Sequence, residues 1–258
     1  MKYQPQGYIL KANENGEFVK PVSYETISDF WKENLEEIVR DLHRRNPGRI
    51  TSVYVRGSVA ANHTVSHFSD IDLLLITDTD EPVDAPRRYY KDGVTYRLDI
   101  GNTSLEALNR KRSKQFTFKT QAVCIDGDDI TEQIPPFYAT LETARLLRPG
   151  PAEEIQYFKE NIAKHPEKLH RHISWIMRFV VRDGGLVSVP DGLYSRDLVH
   201  NYNFFVEKYP EQSERMYQAL DQAINPSWTV KEAQEFLDDF GLWLDGELKQ
   251  RFRISTSS

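Results

Sequence analysis

Val53-Tyr-Val-Arg-Gly57-Ser58, an eleven-residue connection, and then Asp70-Ile-Asp72-Leu-Leu-Leu-Ile76 decide how this chain reads. The apolar runs 53–55 and 73–76 are short and bounded by residues too polar for a core, which predicts two strands with chemistry at their ends. Asp70 and Asp72 are two apart, so on a strand both point to one face, about 6.7 Å apart at roughly 3.3 Å per residue. Ile71 and Leu73 then point into the core. Two carboxylates at about 4 Å repel by about 4 kcal/mol at an effective dielectric near 20. A Mg²⁺ ion, which prefers oxygen ligands and brings substrate phosphates with it, satisfies both and accounts for the spacing. A glycine at a strand end lets backbone N–H groups approach a phosphate. Ser58 beside it is placed to cap the next helix and to donate its hydroxyl to a phosphate oxygen.

Gly57-Ser58 followed by Asp70-x-Asp72 resembles the signature of the nucleotidyltransferase superfamily typified by DNA polymerase beta. The resemblance implies that Gly57 and Ser58 hold a triphosphate and that Asp70 and Asp72 hold two Mg²⁺ ions. A third carboxylate is expected from a later strand. Asp99 is the matching candidate, in the alternating run 94–100 that follows the Asp92-Gly93 turn and puts Thr95, Arg97 and Asp99 on one face. Asn62-His63 stands where the family often carries a glycine. Arg56, read as alternating with Gly57 on a strand, falls outside the expected site.

A chain of 258 residues is long enough for one large or two small domains with a real core. Its formal charge of -6 argues against wrapping a nucleic-acid backbone, because that binding is driven by Lys and Arg neutralising phosphates. A cationic small molecule is easier to accommodate. The single cysteine, Cys124, allows no internal disulfide and reads as a small core residue. No apolar run approaches the ~18 residues of a membrane span, and the beginning of the chain lacks a signal-peptide core, so a cytoplasmic location is expected.

Taken in order, residues 1–22 show no period and read as an arm or a loose terminus. Residues 23–45 carry apolar positions at helical spacing, stopped by Asn46-Pro47-Gly48. A short helix is expected on Ser58, followed by a loop in which His63 and His67 face solvent or substrate, since Mg²⁺ prefers oxygen. The Arg87, Arg88 and Lys91 cluster follows a loop and reads as a solvated face. Asp99 is expected to end its strand, and Thr103-Ser-Leu-Glu106 has the pattern of a capping box. The segment 116–125 is compatible with a helix or a buried strand; Lys119 within it is a candidate partner for the triphosphate.

Gly127-Asp128-Asp129 and Pro135-Pro136 mark a boundary. Beyond it, breakers separate helices over 137–148, 152–164, 167–182, 195–209, 211–224 and 229–252, which together predict a helical bundle. The fold expected is α+β: a nucleotidyltransferase-like mixed sheet with flanking helices over residues 1–136, then the bundle over 137–258.

Within the superfamily this layout resembles the single-chain aminoglycoside adenylyltransferases. That implies a Mg²⁺-dependent transfer of AMP from ATP to the hydroxyl of a small, possibly cationic, acceptor. Asp70, Asp72 and Asp99 would be catalytic and metal-binding, and the helical half would hold the acceptor. Two alternatives stand beside it. Toxin and antitoxin relatives modify a protein or tRNA; the helical half holds Arg196-Asp-Leu-Val-His200, one residue shorter than their partners' ribonuclease motif. A non-catalytic relative would bind nucleotide only.

Overall fold

The computed structural model describes residues 2–62, 70–148 and 151–253. His63 and His67 therefore lie outside the described residues. The chain divides into two compact units, Phe18–Phe137 and a second one formed by Met1–Glu17 with Tyr138–Ser258. The residue-level reason for the split N-terminus is a small sheet: strand β1 (Leu10–Lys11) pairs antiparallel with a strand formed by Leu193–Tyr194.

The unit Phe18–Phe137 begins with helix α1 (Asp29–Arg45), whose apolar stripe buries Trp31, Leu35, Ile38, Val39 and Leu42. Then come β2 (Ile50–Arg56), the single-turn helix α2 (Gly57–Ala60), β3 (Ile71–Thr77), β4 (Arg88–Lys91) and β5 (Val94–Ser104). Helices α3 (Leu105–Arg110) and α4 (Arg112–Gln121) lead into β6 (Val123–Gly127). The five strands form one mixed sheet in the order β4-β5-β3-β2-β6, with β3 and β5 parallel and the other pairs antiparallel.

Alternation sets the two faces. Ile71, Leu73 and Leu75 are fully buried, and the ring of Trp31 meets Tyr96 edge-on at 5.2 Å, so α1 covers the face that Tyr96 and Leu98 share. Tyr89, opposite Tyr96 on β4, reinforces this by donating its hydroxyl to Asn34 and Glu37 of α1. The other face carries Asp72 and Asp99. It is covered toward β6, where Phe118 of α4 packs on Tyr54, and open along β5, where Thr95, Arg97, Asp99 and Gly101 are exposed.

Several local readings change. The segment 116–125 is both helix and strand, since α4 ends at Gln121 and β6 begins at Val123. Asp99 does not end its strand: β5 runs on for five residues to Ser104, because its register with β3 continues to Thr77. The cap of α3 is Ser104, whose hydroxyl accepts from the Ala107 N–H, one residue later than the capping-box pattern implies. Asp92 and Gly93 make the expected turn, both with positive φ, and Asn62 adopts φ 53, the left-handed region that glycine would enter more easily.

The second unit holds helices α5 (Leu141–Leu147), α6 (Pro151–Lys164) and α7 (Leu169–Gly185), strand β7 (Leu193–Tyr194), and α8 (Leu198–Lys208). It ends with α9 (Ser213–Ile224), α10 (Val230–Phe236) and α11 (Leu242–Arg251), the last two joined without a break by the wide turn Leu237–Gly241. Gly184-Gly185 are the last two residues of α7, which runs three residues past the expected end at Arg182. The reason is packing: a Cβ on Gly185 would lie 1.8 Å from Asn201 Oδ1, and one on Gly184 2.5 Å from Met216 Cε, so these glycines let α8 and α9 approach. Phe204, Phe205 and Phe240 are core, whereas Trp175 is 38% exposed. The Arg196 carbonyl accepts from Arg182 Nε, Asp197 caps α8, and His200 Nε2 is 3.2 Å from the Gly7 carbonyl.

Candidate functional site

β2 and β3 run antiparallel with Arg56 opposite Asp72, and β3 and β5 run parallel with Asp72 opposite Asp99. Residues opposed in this way share a face, and adjacent strands lie about 4.8 Å apart, so Asp72 and Asp99 stand side by side at the open part of the sheet. Asp70 precedes β3 by one residue and lies beside Arg97, with Arg97 Nη1 3.7 Å from Asp70 Oδ2. The structure thus brings the three carboxylates onto neighbouring positions of one sheet face.

Gly57 closes the other side. Its φ of +72 is in the left-handed region, and a Cβ there would lie 2.5 Å from Asp72 Oδ2. Glycine is needed twice over, for the turn from β2 into α2 and for room beside the carboxylate. Ser58 is half-buried in the first turn of α2. It is not the helix cap, because the helix begins two residues earlier than the Ser58 reading assumes and Arg56 takes the N-cap position.

Arg56 belongs to this site, contrary to the strand alternation. Gly57 has already left the strand, so the alternation ends at Arg56, which keeps the face of Asp72. Its Nη2 is 4.0 Å from Asp72 Oδ1, and both side chains are mostly covered, at 20% and 28% exposure. This contact was missed because the sequence does not show where β2 stops. Lys119 is on α4 with its ammonium 2.9 Å from the Thr131 carbonyl. One such bond leaves two of its three N–H donors for another acceptor.

The donor set suits a hard divalent cation, being all carboxylate oxygen. Among the described residues, however, no three carboxylate, imidazole or thiol groups already converge on a point that a metal ion would occupy. Asp70 Oδ2 lies 3.7 Å from Arg97 Nη1, and Asp72 Oδ1 lies 4.0 Å from Arg56 Nη2.

The second unit has a cleft of its own, about 740 Å³, between α6 and α7. Tyr157 and Trp175 meet edge-on at 5.6 Å on its wall, with Lys168, Arg171, His165 and His172 around them and Glu154 as the one acid among the described lining residues. His172 Nε2 is buried with no hydrogen-bond partner among the described residues, and burial together with these neighbouring cations lowers its pKa. Such a basic lining does not complement a cationic acceptor.

No family model matches the sequence, and no curated protein matches it either. Solved structures do. One is spectinomycin adenyltransferase AAD(9) from Enterococcus faecialis, determined with ATP and spectinomycin, at 15% identity and a TM-score of 0.44 over 86% of this chain and 100% of that one. Another is a nucleotidyltransferase-like protein from Exiguobacterium sibiricum, at 13% identity and a TM-score of 0.34 over 84% of this chain and 75% of that one. Superpositions this loose leave the functional reading to the chain's own residues. No helix among the described residues is long and apolar enough to cross a membrane.

Proposed function

We propose that the chain is a Mg²⁺-dependent nucleotidyltransferase that moves a nucleoside monophosphate, AMP from ATP, to the hydroxyl of a small molecule. The single observation that carries this is the register of Asp72 against Asp99 beside the left-handed Gly57. In this reading Asp70, Asp72 and Asp99 hold two divalent ions. When bound, the ions supply charge neutralisation for the attacking and leaving oxygens. Gly57 and Ser58 grip the β- and γ-phosphates through the turn into α2, with Lys119 as a further donor.

The acceptor hydroxyl oxygen forms a bond to the α-phosphorus, and the bond from that phosphorus to the bridging oxygen of the β-phosphate breaks. Pyrophosphate leaves with that oxygen. The hydroxyl proton passes to Asp99, the exposed acid of the three, provided the hydroxyl comes within hydrogen-bond reach of its carboxylate. The units divide the labour in this reading: Phe18–Phe137 carries the chemistry, and the helical unit contributes to acceptor binding. Acidic side chains outside the basic α6–α7 cleft would then meet any amines of the acceptor.

Incubation with α-³²P-labelled ATP, Mg²⁺ and a panel of hydroxylated small molecules that includes aminoglycosides tests the proposal. Label is expected on a small molecule with stoichiometric pyrophosphate. Label on added protein or tRNA would instead favour the toxin-type reading, and ATP binding with no labelled product under any condition would favour a nucleotide-binding relative.

A further inference from the structure

Three carboxylates on adjacent positions of an open sheet face require compensation, and the chain supplies it from the same face. Arg56 is opposite Asp72 across β2 and β3, and its guanidinium lies 4.0 Å from that carboxylate. Arg97 sits two residues before Asp99 on β5 and lies 3.7 Å from Asp70. Resting on the transferase reading above, we propose that Arg56 and Arg97 are resident counter-cations: positioning residues that hold Asp72 and Asp70 apart and must be displaced before divalent ions bind.

Two observations support this beyond proximity. Among the described residues no three such ligands converge on a point that a metal ion would occupy, although the backbone register sets Asp72 opposite Asp99. The Arg56 pair is also well covered, so water screens it less than an exposed pair. A guanidinium does not lose its proton in a protein, so this counter-charge can be removed only by movement. Once displaced, each fork of N–H donors is free for a phosphate oxygen, which is the geometry arginine matches best. The consequence is coupling. Divalent ions bind weakly alone and better with triphosphate, and the triphosphate binds better with the ions, by the same factor.

The test is Mn²⁺ binding to the full chain without nucleotide, followed by the electron paramagnetic resonance signal of the free ion. Wild type is expected to bind weakly, and Asp72→Asn more weakly still. Arg97→Gln should tighten Mn²⁺ binding about threefold and Arg56→Gln about tenfold, as expected for removal of an exposed and a covered competing charge. Arg56→Lys should stay near wild type, since the charge remains. The two Gln variants should also weaken binding of a non-hydrolysable ATP analogue in the presence of Mg²⁺. Circular dichroism identifies any variant that fails to fold, and Arg97, at 68% side-chain exposure, is the one a fold defect would not obscure. Unchanged or weaker Mn²⁺ affinity in folded Arg97→Gln overturns the counter-cation role while leaving the transferase reading standing. Mn²⁺ binding that Asp72→Asn does not reduce overturns the metal site itself, and the counter-cation role with it.

Discussion

The carboxylate of Asp72 occupies the space beside Gly57 where any other residue would begin its side chain: Oδ2 is 2.5 Å from the position of a Cβ. The Gly57 turn, the proposed phosphate grip, and the Asp72 carboxylate of the proposed metal site are therefore one packing unit. Substitution of either perturbs the other.

Gly57→Ala measures that dependence. The new methyl must displace the Asp72 carboxylate, and the φ of +72 adds about 1–2 kcal/mol of backbone cost. A thermal melt should show a loss of that order, and transfer activity should fall more than stability does. A variant that retains wild-type turnover would show that the carboxylate need not occupy its present place.

Asp72→Ala should lower transfer by about 10³-fold or more, the equivalent of several kcal/mol of charge stabilisation. Relief of repulsion among the acids would by itself make this variant steadier. The structure argues otherwise, because Asp72 compensates the mostly covered Arg56. Denaturant unfolding should thus show a stability equal to wild type or lower by up to about 1 kcal/mol. Full activity in this variant would rule out the metal site.

In the helical unit, Gly185→Ala should cost about 1–3 kcal/mol, because a Cβ at that position would lie 1.8 Å from Asn201 Oδ1 and α8 would have to move. Gly246 in α11 has no atom of the described residues within 4 Å of such a Cβ and provides the control. Gly246→Ala should be neutral or stabilising by up to about 1 kcal/mol through helix propensity. The comparison is one of midpoints in urea, and equal midpoints for the two variants would contradict the packing account.

Stability should also depend on pH through Asp183. This side chain is buried in α7, with Arg148 Nε 3.3 Å away and Asp245 on the same guanidinium. One of its oxygens, Oδ1, has no hydrogen-bond partner among the described residues. Burial pushes its pKa up to about 7, with Arg148 opposing. An acid raised in the folded state holds its proton there after the unfolded chain has released it, so stability declines as pH rises from about 4 to about 7. At about 1.4 kcal/mol per pH unit the loss is at most about 4 kcal/mol. Asp183→Asn should flatten this part of the profile, as read from denaturant unfolding between pH 5 and 8. An unchanged slope would mean that Asp183 stays ionised throughout.

What could be read directly from the chain was whatever depends on short-range periodicity. The Gly57-Ser58 and Asp70-x-Asp72 spacing identified strands β2 and β3 and placed two acids on one face, since side chains alternate at every residue whatever the surroundings. The Asp92-Gly93 turn and the helix breakers at Pro210 and Asn225-Pro226 are equally local, because they act through φ and through missing N–H groups. Only the tertiary structure decided the rest. That Asp99 falls opposite Asp72, within a strand that continues to Ser104, depends on a parallel register between segments that β4 separates. That Arg56 faces Asp72, and that α7 takes in Gly184-Gly185 as its last two residues, depends on where neighbouring elements come to lie. Such contacts arise from the packing of distant segments, which no window of sequence contains.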